Sequence, residues 1–137
     1  MLQSIASALG IATESSAIDR WLGKSAQKRS VLTRDEAVGR GLERLGYEVF
    51  YEAPAAGHKV DVLVVTATAV DPALCQRLRE EMHLVRGGGH IIVSCTALFS
   101  RRASARSRWS ALLLHAGIHD VRQDASSGIL LTAGTTQ

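Results

Sequence analysis

The chain alternates between stretches whose apolar residues recur every three to four positions and short runs that are apolar throughout. The first pattern is that of a helix with one buried stripe, the second that of a strand covered on both faces. Ala37, Val38, Gly41, Leu42 and Leu45 repeat at helical spacing after Thr33-Arg34-Asp35-Glu36, which has the form of a capping box with Thr33 as the cap; Gly46 supplies the stop. Residues 47–52 alternate with period two and predict a half-exposed strand, whereas the β-branched run 60–66 predicts a central one. Asp71-Pro72 opens the next helix, with Pro72 at the first position, where its missing N–H is no loss. Leu74, Leu78, Glu81 or Met82, and Val85 form its stripe, and Gly87-Gly88-Gly89 ends it. Residues 90–96 then predict a second buried strand, 97–107 a Ser/Arg/Ala loop, and 109–116 a short helix closed by Gly117. Residues 118–123 and 128–133 read as a hairpin. At the start, Leu2, Ile5, Leu9 and Ile11 share one face of a short helix. A second helix, capped by Thr13 or Ser15, runs through Ile18, Trp21 and Leu22 to Gly23, followed by a basic linker.

Strands alternating with helices predict an α/β fold: a three-layer Rossmann-like sheet, mostly parallel, with an antiparallel C-terminal hairpin and a helical N-terminal extension. Residues 31–137 form the single α/β domain in this reading, and residues 1–30 the extension and basic linker. The expected core is Val38, Leu42, Leu45, Val62, Val64, Leu74, Leu78, Ile91, Val93, Leu112, Leu113, Leu130 and Ala133. Aromatics make up only 4% of the chain against 46% apolar residues, so aliphatic side chains must fill that core. No apolar run approaches the roughly 18–20 residues that span a bilayer, and the N-terminus lacks the early positive charges of a secretion signal. Cys75 and Cys95 fall within a predicted helix and strand, which suits reduced, buried thiols and a cytoplasmic setting.

Charge is uneven along the chain. No acidic residue lies between Met82 and His119, where Arg86, Arg101, Arg102, Arg106 and Arg108 all fall. This predicts a positive surface, with Arg101, Arg102, Arg106 and Arg108 as the candidate nucleic-acid contacts, because guanidinium forks suit phosphates. Other chemistry finds little support. Gly23-Lys24-Ser25 imitates the end of a phosphate-binding loop, yet Ile18 stands where its first glycine must be. His115 and His119 are four apart with Gly117 between them, which predicts no shared metal-binding face. His58, His83 and His90 read as surface or strand-end residues, and Cys95 has no base beside it in sequence to make it a nucleophile.

Three segments carry a family resemblance. Asp61-Val62-Leu63-Val64-Val65 has the form of a strand with an acidic residue near its start. Residues 84–94 give a helix end, a Gly-rich turn and a strand, with Gly87 in place of the usual Pro. Trp109-Ser110-Ala111-Leu112-Leu113-Leu114-His115-Ala116-Gly117-Ile118-His119-Asp120-Val121 matches the helix and turn before a closing antiparallel pair. Together, residues 37–134 resemble the C-terminal half of a class I S-adenosylmethionine-dependent methyltransferase. Such an enzyme also carries a Gly-x-Gly-x-Gly cofactor loop, absent from residues 1–46, and an acidic ribose ligand for which Glu52 is the nearest candidate. Thr66-Ala67-Thr68-Ala69 replaces the Asp/Asn-Pro-Pro-Tyr type of motif that orients an amine. The resemblance therefore implies a degenerate, catalytically silent domain with no cofactor, no metal and no catalytic residue of its own. Its role would be binding or assembly, with nucleic acid or a protein as partner and a homodimer as the expected state. A weaker resemblance, to PD-(D/E)XK nucleases, rests on Glu36, Gly46-Tyr47-Glu48-Val49-Phe50 and Asp61, but lacks the Glu-x-Lys that would complete a Mg²⁺ site. The alternative is thus a methyltransferase or nuclease-like enzyme subunit completed by a partner chain.

Overall fold

The structure is a computed structural model that describes residues 14–23, 30–67, 72–96, 103–126 and 129–136. Six strands form one sheet: β1 (Ser30–Thr33), β2 (Glu48–Phe50), β3 (Val60–Ala67), β4 (Val85–Thr96), β5 (His119–Ser126) and β6 (Ile129–Thr135), in the order β2-β1-β3-β4-β6-β5. The first four are parallel, and β6 runs antiparallel between β4 and β5. The helices are α1 (residues 14–22), α2 (Glu36–Arg44), α3 (Pro72–Glu81) and α4 (Ala103–His115). No helix of the described residues is long and apolar enough to cross a membrane.

Strand alternation sorts the core into two layers. Leu63, Val65, Ile91 and Val93 face Leu74 and Leu78 of α3 and Trp109, Leu112 and Leu113 of α4. Their neighbours Val62, Val64 and Ile92 face Ala17, Ile18 and Leu22 of α1 and Val38 and Leu42 of α2. The expected three-layer α/β arrangement is therefore present, and every expected core residue is buried except Leu45, which is half-buried at the C-cap of α2.

Several local expectations need correction. Strand β1 has no signature in the sequence pattern: Ser30-Val31-Leu32-Thr33 is too short to show a period, yet Val31 and Leu32 are wholly buried between β2 and β3. The cap of α2 is Asp35, not Thr33. Its carboxylate accepts from the Val38 amide at 3.1 Å, while Thr33 Oγ1 accepts from the Asp35 amide at 3.2 Å. Ser15 lies within α1 and donates to the Val38 carbonyl rather than capping. His90 is half-buried within β4, its ring edge-on to Trp21 at 5.4 Å.

The glycine run does not end a helix. Helix α3 stops at Glu81, a 3₁₀ turn covers Met82–Leu84, and β4 starts at Val85. Val85 fits the helical stripe by spacing and is buried in either conformation, which hid the boundary. Between the pairs Val60↔Val85 and Val62↔His90, β3 advances two residues while β4 advances five, so residues 86–89 bulge from the ladder. Thr136 fastens the bulge: its amide donates to the Gly89 carbonyl at 3.0 Å and its hydroxyl to the Arg86 carbonyl at 2.8 Å.

Helix α4 begins six residues earlier than expected, at Ala103 rather than 109, so half of the supposed basic loop is helical. Residues 103–108 are Ala-Ser-Ala-Arg-Ser-Arg, which have adequate helix propensity but no apolar stripe for a periodicity argument to detect. The closing hairpin is also longer than expected, with β5 reaching Ser126.

Candidate functional site at the carboxyl edge of the sheet

In a doubly wound sheet, ligands bind beyond the carboxyl ends of the strands where the strand order reverses. Here the reversal lies between β1 and β3: from β1 the chain moves outward to β2, then returns past β1 to β3. The crevice at that point is lined by Arg34, Asp35, Val64, Val65, Thr66, Arg77 and Glu81 and has a volume of about 120 Å³.

Its walls are tied to one another. Arg34 leaves the end of β1 and donates from Nε and Nη2 to Glu81 Oε1, both at 3.3 Å, and from Nη1 to the Tyr51 carbonyl at 3.1 Å. A single guanidinium thus bridges the turn after β2 and the end of α3, and it partners a Glu81 that is only 9% exposed. Asp35 caps α2 with one oxygen on the Val38 amide, while the other accepts from Thr66 Oγ1 at 3.1 Å. A Gly-rich loop here would present free amides to a ligand. This loop instead presents a carboxylate and has already used the amide.

Tyr51 and Gly39 close the outer side. A β-carbon on Gly39 would lie 2.4 Å from the Tyr51 ring, so the ring rests directly on α2. Partial burial and the hydrogen bond to Glu43 at 2.6 Å push the phenol up to about 12, so it stays neutral. Glu52, the sequence candidate for a ribose ligand, is exposed in the bend after β2.

On the α1 side of the same edge, Ser94 donates to Glu14 Oε1. Burial raises the Glu14 pKa above 4.5, the Ser94 hydrogen bond partly opposes this, and the nearby Asp35 charge adds to it. An acid with a raised folded-state pKa binds its proton more tightly folded than unfolded. Its contribution is therefore most favourable near and below pH 4.5 and is lost as pH rises through the folded value. Glu14→Gln, which keeps an acceptor for Ser94, is expected to raise the melting temperature at pH 7 and to leave it nearly unchanged at pH 4. Equal shifts at both pH values would show that the charge is not the cause.

Burial, and then the charge of Glu14, also push the Cys95 thiol up, which disfavours the nucleophilic thiolate. No group of three or more His, Cys, Asp or Glu side chains that could hold a metal occurs among the described residues. The nuclease-like pair is not assembled either. Asp61 lies at the amino end of β3, bound to Ser30 and Arg86, whereas Glu36 lies past the carboxyl end of β1 and pairs with Arg40. His115 is exposed on α4, and His119 is 3.4 Å from Asp120.

Of the four candidate arginines, Arg101 and Arg102 lie outside the described residues, and Arg106 falls on α4. Arg108 is exposed on α4 and borders a groove shared with Arg79 of α3, apart from the crevice. The crevice residues Arg34, Thr66, Arg77 and Glu81 were missed by sequence reasoning. The one available signal was a charged Arg34-Asp35 pair in the place of a glycine loop.

This strand order and the closing antiparallel pair define a Rossmann-like, class I methyltransferase-type fold. Solved structures share it: an O-methyltransferase family protein from Burkholderia thailandensis (TM-score 0.58, 14% identity, 93% of this chain and 57% of that one), the T. thermophilus 16S rRNA methyltransferase (0.57, 10%, 89% and 41%), and a SAM-dependent methyltransferase from Thermotoga maritima (0.56, 13%, 93% and 89%). The chain thus spans little more than half the length of the first and less than half of the second. No protein-family model matches the sequence, and no curated protein aligns with it.

Proposed function

We propose that this chain is a methyltransferase-fold domain without a methyl-donor site of its own, acting as a binding or assembly module. The observation that carries this reading is the Arg34 strap across the crevice, which leaves about 120 Å³. Pockets for small ligands hold about 300–1,000 Å³, and S-adenosylmethionine, with an adenine, a ribose and an amino acid to house, needs more than is left. The Asp35 carboxylate at the head of α2 further opposes the donor's carboxylate. Isothermal titration with S-adenosylmethionine and with S-adenosylhomocysteine is expected to give no binding heat. A micromolar dissociation constant for either would overturn the reading.

Nucleic acid is the partner that the charge distribution favours, through Arg101, Arg102, Arg106 and Arg108. The stretch between Met82 and His119 carries no carboxylate to repel a phosphate backbone. Phosphate contacts release counterions, so fluorescence anisotropy with duplex and single-stranded probes is expected to show affinity falling steeply with salt. Arg101→Gln with Arg102→Gln should lower the slope of log affinity against log salt by about 2, one for each lost contact. No binding by the wild type at low salt would leave a protein partner in its place.

Self-association belongs to the same proposal. Among the described residues strand β2 is an edge strand with one side unpaired, and a two-fold pairing of β2 with its copy would cover it. Light scattering is expected to report a dimer; a monomer at high micromolar concentration would refute the pairing.

A further inference from the structure

A second concavity lies on the opposite layer, between α3 and α4, lined by Cys75, Arg79, Arg108, Ala111, Leu112, His115 and Ala116. Cys75, Ala111 and Ala116 are small, so the two helices do not close over one another there and leave about 340 Å³. That volume falls in the range of small-ligand pockets, about 300–1,000 Å³. The floor is apolar, with Leu112 at its base. The rim is basic: Arg79, Arg108 and His115 are all exposed, and no carboxylate is among the described residues that line the groove. Neither Arg79 nor Arg108 has an ion-pair or hydrogen-bond partner among the described residues.

We propose that this groove binds a small amphiphilic carboxylate, a free medium-chain acyl anion whose chain lies over Leu112 and Ala111 and whose carboxylate meets Arg79 and Arg108. The guanidinium fork matches a carboxylate in two parallel hydrogen bonds, and such charge-assisted bonds are stronger than neutral ones. An apolar floor beneath two arginines without a partner among the described residues favours a ligand with both properties at once. A nucleobase would find no aromatic side chain among the described lining residues to stack on, so base stacking does not account for the apolar floor, while Arg108 at the rim is shared with the proposed phosphate contacts. The inference rests on the groove alone and is independent of the state of the crevice.

The chain carries its own reporter. Cys75 lines the groove and is partly exposed, whereas Cys95 is 2% exposed, so its labelling marks global unfolding. The experiment follows the rate of Cys75 modification by N-ethylmaleimide with decanoate, or with decanol as the uncharged control, below their aggregation limits. Decanoate at ten times its dissociation constant is expected to slow modification about tenfold, as occupancy requires, with decanol giving little protection. Arg79→Gln with Arg108→Gln should abolish the difference between the two while Cys95 stays unlabelled. Saturation-transfer NMR on the decanoate methyl group gives a second readout that does not depend on the thiol. No protection and no transfer with decanoate, or equal protection by decanol, would overturn the proposal on the wild-type protein alone.

Discussion

Gly89→Val is expected to destabilise the domain by about 3 kcal/mol, the upper end of ordinary overpacking costs. A β-carbon at Gly89 would lie 2.6 Å from the Asp61 carbonyl oxygen and 2.9 Å from that of Arg86, both backbone atoms, the first in β3 and the second in the bulge that Thr136 fastens. The Asp61 carbonyl cannot retreat without shifting β3 against β4, the pair on which both layers of the core rest. Gly88 provides the contrast. It has φ +80 and open space around the same hypothetical atom, so Gly88→Ala costs only the strain of the left-handed backbone, about 1 kcal/mol. Urea denaturation midpoints of the two variants measure the difference. Similar losses at both positions would show that the bulge is soft and that the close approach does not hold the sheet.

Arg34→Ala is the second large effect, an expected loss of about 1–3 kcal/mol. Removing the guanidinium takes both nitrogen contacts from Glu81 and leaves that mostly buried carboxylate without its charged partner. The Arg34 side chain is itself 45% exposed, so water screens the pair and the cost stays below that of a fully buried bridge. Arg34→Ala combined with Glu81→Ala should recover part of the loss, because no orphaned charge then remains. A double variant no more stable than Arg34→Ala would mean that Arg34 acts through the Tyr51 carbonyl and its own packing. Opening the crevice in this way is not expected to create methyl-donor affinity. The Val38 amide is still taken by Asp35, and no Gly-rich loop replaces the strap.

The long apolar elements were legible because burial imposes a period. The run Val62, Leu63, Val64, Val65 can only be a strand covered on both sides, and Leu74 with Leu78 can only mark the inner face of a helix. Elements without such a pattern were lost. Strand β1 is four residues long, and α4 opens with Ala-Ser-Ala-Arg-Ser-Arg, a run with no apolar period in its sequence. The crevice was equally hidden. Its parts, Arg34, Thr66 and Glu81, come from three separate elements, and none carries a motif of its own.

The sequence by itself determined the α/β class, the two-faced central sheet, its antiparallel close and the absence of a glycine cofactor loop. These follow from nearest-neighbour chemistry: side-chain alternation, turn residues and which amides a loop can offer. Only the tertiary structure decided that an Arg34 strap joins Tyr51 to Glu81 across the crevice, that Asp61 sits at the far end of the sheet from Glu36, and that Arg79 and Arg108 frame one groove. Those are contacts between residues 17 to 47 positions apart, or between two helices, and such partners are chosen by how the layers pack rather than by any local pattern.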